Sequence, residues 1–193
     1  MSNSEIQEIY KGVLFSDEEL SFIGKKIKKI EFKKGAILIE NNKKVTHQYF
    51  VAEGCLRSYF TDQKGKEYTL QFAIKDWWIS DFTALFTGKK SIMTIEVLEN
   101  AVLYQISRKD IEKLYVKYPR LETFFRQKLE HAFASFQKRI LADLSKTAKE
   151  KYLLFQETYP NIEQCVKNYH IASYLGITSE SLSRIRKSLT SKN

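Results

Sequence analysis

The sequence predicts an α+β protein: an N-terminal antiparallel β-roll of jelly-roll type, one long helix, and a helical C-terminal segment that ends in a helix-turn-helix. Three observations predict it. Between Ile30 and Ser107 apolar and polar residues alternate with a period of two, in many short runs. After Pro119 the apolar period lengthens to three and four residues and stays there through a long stretch. From Tyr169 to Leu189 a small residue, a glycine and a threonine stand where two crossing helices need them. The expected divisions are 1–118 for the β-roll, 119–144 for the long helix and 145–193 for the C-terminal domain.

The first thirty residues read as helix. Ser16 and Glu19 form a capping box ahead of Leu20, Ile23 and Ile27, which share one helical face. Strands follow at Ala36–Ile39, Gln48–Val51 and Leu56–Phe60. Asp62 to Lys66 is a turn, and Glu67 to Ile74 is the returning strand. Met93–Leu98 and Val102–Ile106 make two more strands, split by a turn at Glu99-Asn100. Many short strands with regular turns mean a sandwich, barrel or jelly roll. Residues 107–117 read as a short helix.

The long helix is expected at 120–143. Leu121, Phe125, Leu129, Ala132, Phe136 and Ile140 form one apolar stripe, widened by Phe124, Phe133 and Leu141. So much apolar surface on one helix needs a partner beyond the β-roll, and the same helix of a second chain is the most economical one. A helix of 146–158 follows and ends at Tyr159-Pro160-Asn161.

Charge and composition narrow the partners. The chain carries 32 Lys and Arg against 23 Asp and Glu, a net charge of +9. Residues 145–193 hold eight basic and four acidic side chains, the highest excess per residue. That balance favours a polyanion. Cys55 and Cys165 are too few and too far apart for a disulfide framework or a metal motif, so a reducing cytoplasm is expected. The first twelve residues lack the apolar core of a signal peptide, and no apolar run reaches the roughly 20 residues of a membrane span.

The terminal motif reads Tyr169-His170-Ile171-Ala172-Ser173-Tyr174-Leu175-Gly176-Ile177-Thr178, then Ser179 to Leu189. Ala172 is small where the helices cross. Gly176 suits the positive φ of the turn. Thr178 is a good N-cap for the second helix. Ile171, Leu175, Ile177, Leu182 and Ile185 supply a small shared core. On the second helix Glu180, Ser183, Arg184 and Lys187 face away from that core and are free to enter a major groove. Arg184 suits guanine O6 and N7, and Glu180 suits cytosine N4. Ser179 can reach a base edge or a phosphate; Ser173, Thr178, Arg186 and Lys187 suit phosphates.

This order of elements resembles the Crp/Fnr family of bacterial transcription regulators, in its Bacteroidetes-type version. The resemblance rests on Gly54-Cys55-Leu56-Arg57, Asp76-Trp77-Trp78-Ile79-Ser80-Asp81 and Ile171-Ala172-Ser173-Tyr174-Leu175-Gly176-Ile177-Thr178. It implies a cyclic-nucleotide-binding-like sensor, a homodimer joined by the long helix, and a winged-helix reader of a two-fold symmetric DNA site. RNA polymerase and a small-molecule effector are the further partners it implies. Many members read DNA through Arg, Glu and Arg; the matching residues here are Ser179, Glu180 and Arg184. Only four residues follow Leu189, so a truncated wing is expected. The family's nucleotide site corresponds to Ser80, Asp81, Phe82 and Thr83, then Lys89, Lys90 and Ser91, with Ser135 from the long helix. Asp81 replaces a longer Glu and Lys90 an Arg fork, which disfavours an ordinary cyclic nucleotide. No other cofactor is expected.

Other chemistries lack their motifs. There is no Gly-rich phosphate loop and no GxSxG, so an enzyme is not expected. His47, His131 and His170 have no metal-ligand spacing, and no metal is expected. The competing reading is a small-molecule sensor that acts through protein partners instead of DNA. The Glu180/Arg184/Lys187 face separates the two.

Overall fold

Ser2 and Ser16 open the first two helices in the same way. Each accepts from the backbone N–H three residues on, and each has its own N–H held by the carboxylate there, Glu5 or Glu19. These capping boxes start α1 (Asn3–Ile9) and α2 (Asp17–Gly24). This computed structural model describes residues 1–190; Ser191 to Asn193, the end of the expected 145–193 domain, lie outside the described residues.

Eight strands follow: β1 (Ile27–Phe32), β2 (Ile37–Ile39), β3 (His47–Glu53), β4 (Leu56–Thr61), β5 (Glu67–Ala73), β6 (Trp78–Ile79), β7 (Thr94–Val97) and β8 (Ala101–Ser107). They form two four-stranded sheets, ordered β1-β8-β3-β6 and β2-β7-β4-β5. The pairing is antiparallel, with Ile27 opposite Ile106 and Phe50 opposite Tyr104. The expected jelly-roll architecture is present. Helical residues were expected as far as Ile30, but β1 begins at Ile27. That isoleucine's spacing from Leu20 and Ile23 fits a helix face as well as a strand start, so periodicity alone misplaced the boundary.

The strands alternate between two cores. Tyr49 and Val51 of β3, with Ala101 and Leu103 of β8, pack between the sheets against Ile79, Leu56 and Ile95. Phe50 and Ala52, with Tyr104 and Ile106, point the other way into a second cluster with Ile6, Ile9, Leu20 and Ile23 of the N-terminal helices. The two central strands are therefore buried on both faces. Gly54 makes the sharp β3–β4 turn at φ +92°, where a Cβ would sit 2.5 Å from the Asn100 carbonyl oxygen.

Helix α3 (Phe82–Thr87) crosses the stretch expected to be pocket loop. Helices α4 (Arg108–Lys117) and α5 (Pro119–Ser145) follow, then α6 (Ala148–Thr158), a 3₁₀ turn at Ile162–Gln164, α7 (Asn168–Leu175) and α8 (Ser179–Thr190). The chain divides into two compact units. One contains residues 1–58 and 72–130. The other contains 59–71 and the chain from 131 onward. The division differs from the expected one in two ways. It falls inside α5 rather than at its start, and the β4–β5 hairpin belongs with the C-terminal helices.

Candidate nucleic-acid interface and effector pocket

The C-terminal helices are built on a core. Tyr152 and Phe155 of α6, Ile162, Val166, Ile171, Ala172, Leu175 and Leu182 are all buried. Thr147 caps α6 with Glu150 in a third capping box. At the turn between α7 and α8, Gly176 takes φ +67°, and the Ile177 N–H reaches back to the Ala172 carbonyl at 3.0 Å. This closes α7 with the left-handed residue that glycine supplies most cheaply. Thr178 Oγ1 accepts from the Ser181 N–H at 3.2 Å and so caps α8. Two helices joined by so short and fixed a turn hold one another's orientation, which is what a groove-reading helix requires.

On α8, Glu180, Ser183, Arg184 and Lys187 are exposed, while Leu182 is fully buried. Ser179 is half-buried at the first turn. Arg184 donates to Ser181 Oγ at 3.2 Å, a bond on its own helix that leaves most of its fork to solvent. The Glu180 carboxyl is held below its ordinary pKa, first by its own backbone N–H and then by the Thr178 hydroxyl. It is therefore a carboxylate at neutral pH and an acceptor, as a contact to cytosine N4 needs.

Two residues expected at phosphates are engaged inside the domain instead. Arg186 donates from Nε to Tyr152 Oη (3.1 Å), from Nη1 to Asn168 Oδ1 (2.6 Å) and from Nη2 to Glu163 Oε1 (2.7 Å). Tyr152 Oη also lies 2.5 Å from Glu163 Oε1. One guanidinium thus ties α8 to α6, to α7 and to the turn between them. Ser173 Oγ is bonded to the backbone of β5, accepting from Thr69 N and donating to Glu67 O, both at 2.9 Å. Helical spacing separates Arg186 from Lys187: Arg186, one turn after Leu182, flanks the apolar face and is half-buried, whereas Lys187 points away from it and is exposed. A second signal is Tyr152, whose hydroxyl needs a partner when buried.

The expected effector residues fall into three groups. Asp81 is 0 % exposed and accepts three hydrogen bonds. They come from Ala84 N (3.0 Å), Ser91 Oγ (2.8 Å) and Ile92 N (2.9 Å). Its carboxylate caps α3 and fixes the loop after it. Ser80 is buried and donates to the His47 carbonyl at 2.8 Å. Phe82 lies in an aromatic group with Phe86 and Phe125. Thr83, Lys89 and Lys90 are exposed. Ser135 belongs to the second unit and donates to the His131 carbonyl of its own helix. A cavity of about 420 Å³ opens instead along β2 and the start of β3, beside Glu40, Lys43, Lys44, Thr46 and His47. Of these, only His47 is weighed from the sequence, and that as a metal ligand.

The long helix also divides. Leu121 and Phe125, expected at a dimer seam, are buried in the core of the first unit. Pro119 starts α5 against that core, so its first two turns are spent there. Farther along, Leu129 is half-buried and Ala132, Phe136 and Ile140 are exposed. Phe133, Leu141 and Leu144 are more exposed still, at 65 %, 63 % and 81 %.

Comparison with known proteins agrees with this architecture. Residues 29–118 match the cyclic nucleotide-binding domain. A double mutant of CooA from Carboxydothermus hydrogenoformans superposes with a TM-score of 0.72 at 16% identity, covering 96% of this chain and 84% of that one. The c-di-GMP-responsive global regulator CLP of Xanthomonas campestris gives 0.72 at 10% identity, covering 92% and 93%. A transcriptional regulator of the crp/fnr family from Eubacterium rectale gives 0.69 at 19% identity, covering 92% and 85%. The chain has the fold of these regulators: antiparallel sheets in a jelly roll, a long helix, and C-terminal helices. None of the curated proteins compared with the chain matches it in sequence. Among the described residues, no helix is long and apolar enough to cross a membrane, and no cluster of His, Cys, Asp or Glu is arranged to hold a metal ion.

Proposed function

We propose that this chain is a transcription regulator of the Crp/Fnr type, which binds a two-fold symmetric DNA site as a homodimer and performs no catalysis. The observation that carries the proposal is the exposed face of α8. Glu180, Ser183, Arg184 and Lys187 project from a helix whose orientation is set by a capped, glycine-hinged turn. A carboxylate and a guanidinium one helical turn apart read base edges; Lys187 adds a phosphate contact. Arg186 is assigned to holding the domain together.

Dimerisation rests on the apolar stripe of α5. Phe133, Phe136, Ile140 and Leu144 recur at three- and four-residue steps and are exposed in the single chain. A contiguous apolar face of this kind marks an interaction surface. A second α5 is its self-complementary partner, and a two-fold dimer presents two α8 helices to two half-sites.

The sensor is read as one that does not take an ordinary cyclic nucleotide. The donors that would greet an anionic group beside α3 already bind the chain's own anion, Asp81. A nucleotide phosphate would have to displace a buried carboxylate that accepts three hydrogen bonds. The effector, an unidentified small molecule, therefore binds through other groups.

Selection of bound duplexes from random-sequence DNA tests the proposal. The expected outcome is an inverted repeat with half-site centres about 10 base pairs apart. Recovery of unrelated sequences, or of a single asymmetric site, would contradict it.

A further inference from the structure

The β4–β5 hairpin packs within the same unit as the reader, and the bonds it makes there are specific. Strand β5 is the last of its sheet. Its outer edge therefore offers backbone groups with no neighbouring strand, a liability that proteins cover. Here α7 and α5 cover it. Ser173 behaves like a residue of a paired strand, taking the Thr69 N–H and giving its own proton to the Glu67 carbonyl. Arg139 of α5 donates to the carbonyls of Leu70 and Thr69. Its second nitrogen also reaches the Tyr174 carbonyl at 3.1 Å, and the guanidinium lies 3.9 Å from the centre of the Tyr174 ring. Thr69 is buried as a result, at 3 % exposure.

We propose that this hairpin is an autoinhibitory latch on the reader: while β5 holds Ser173 and Arg139, helix α7 is withheld from DNA, and operator binding requires the latch to open. The proposal rests on the DNA-reading function above. Its argument is one of competition. In a helix-turn-helix the first helix lies across the DNA backbone. The side of α7 that carries Ser173 is covered by β5, and the serine has its donor and an acceptor position committed there. The hairpin is a cover and not a second phosphate grip, because Lys64 and Lys66 are balanced by Asp62 and Glu67. The Asp62 carboxyl is held below its ordinary pKa, first by the Lys66 N–H, so its negative charge persists at neutral pH. Both strands of the hairpin run on into the first unit, which gives a change in the sensor sheet a direct covalent route to the latch. By linkage, whatever favours the latched state must weaken DNA binding by the same factor.

The test uses the full chain and a labelled duplex recovered by the selection described above. Thr69→Pro removes the N–H given to Ser173 from an edge strand, a position where proline is tolerated, and leaves every reader side chain in place. Arg139→Gln is the second variant, should the first fold poorly. Hydrogen exchange over residues 66–71 is measured with and without the duplex. The latch predicts about tenfold tighter DNA binding in either variant, the order expected for losing one or two hydrogen bonds. It also predicts that saturating DNA accelerates exchange over 66–71 in the natural sequence. Unchanged or weaker binding by the folded variants, or protection that persists on DNA, overturns the latch while leaving DNA reading intact. If no variant binds any duplex at low salt, DNA reading fails and the latch fails with it.

Discussion

Arg186→Ala is expected to destabilise the C-terminal helices, not to remove a contact to DNA. The side chain is about one-quarter exposed, at 26 %, and so is largely shielded from water. It makes three hydrogen bonds, to Tyr152, Asn168 and Glu163. Its guanidinium also lies 5.6 Å from the Tyr152 ring centre. A buried bond to a charged group contributes about 1.5–3 kcal/mol. Partial exposure reduces each of these to below about 1 kcal/mol. Three of them, with the lost packing of the side chain, give about 2–3 kcal/mol. For a unit of this size that lowers the melting temperature by about 10 °C. Removal also leaves Glu163 Oε1 beside Tyr152 Oη without its cation. Thermal and urea unfolding measure the effect, and the variant's DNA affinity is compared at several salt concentrations well below its melting temperature. The reasoning is refuted if Arg186→Ala melts with the natural sequence but its salt slope falls by about one, because that is the signature of a lost phosphate contact.

Three other expectations follow from the same contacts. Asp81→Ala strips the cap from α3 and leaves Ala84 N and Ile92 N without their acceptor, while Ser91 Oγ keeps the Met93 carbonyl, so unfolding should show a loss of about 2–4 kcal/mol; a loss under about 1 kcal/mol would mean that water replaces the carboxylate freely. Glu5 is held down to about 2 from 4.5, first by the Ser2 N–H and then by Lys29. Its contribution is complete above pH 4.5 and disappears as the pH falls toward 2, so Glu5→Gln should flatten the acid limb of stability there; an unchanged limb contradicts the assignment. Ile140 is 59 % exposed in the single chain, so Ile140→Glu should leave each chain folded yet raise the dimer dissociation constant at least about a hundredfold; sedimentation equilibrium that still shows a tight dimer removes this stripe from the interface.

The fold was legible where local chemistry and periodicity agreed. Ser16 with Glu19 announced α2, and Gly176 with Thr178 announced the turn between α7 and α8. Both signals are local hydrogen-bond geometries that need no tertiary context. The exposed face of α8 was legible for the same reason, since Leu182 and Ile185 fix its rotation. What was missed depends on distant partners. Asp81 looked like a pocket carboxylate because nothing local shows that Ser91 and Ile92 will consume it. Leu121 and Phe125 share a stripe with Ile140, yet a helix that runs from one unit into the other uses one stripe for two purposes. The edge-strand contact of Ser173 joins residues 104 and 106 positions apart, beyond the reach of any periodic pattern.

The central claim is that α8 reads DNA through Arg184 and Lys187. Its most direct test is the salt dependence of binding to the selected duplex by the natural sequence, Arg184→Ala and Lys187→Ala. The account predicts a steep fall in affinity with salt for all three. Lys187→Ala should reduce the slope by about one and weaken binding to every duplex alike. Arg184→Ala should cost about 1–3 kcal/mol and lose preference at a single base position. Binding that is indifferent to salt, or an Arg184→Ala protein with unchanged affinity and preference, would contradict it.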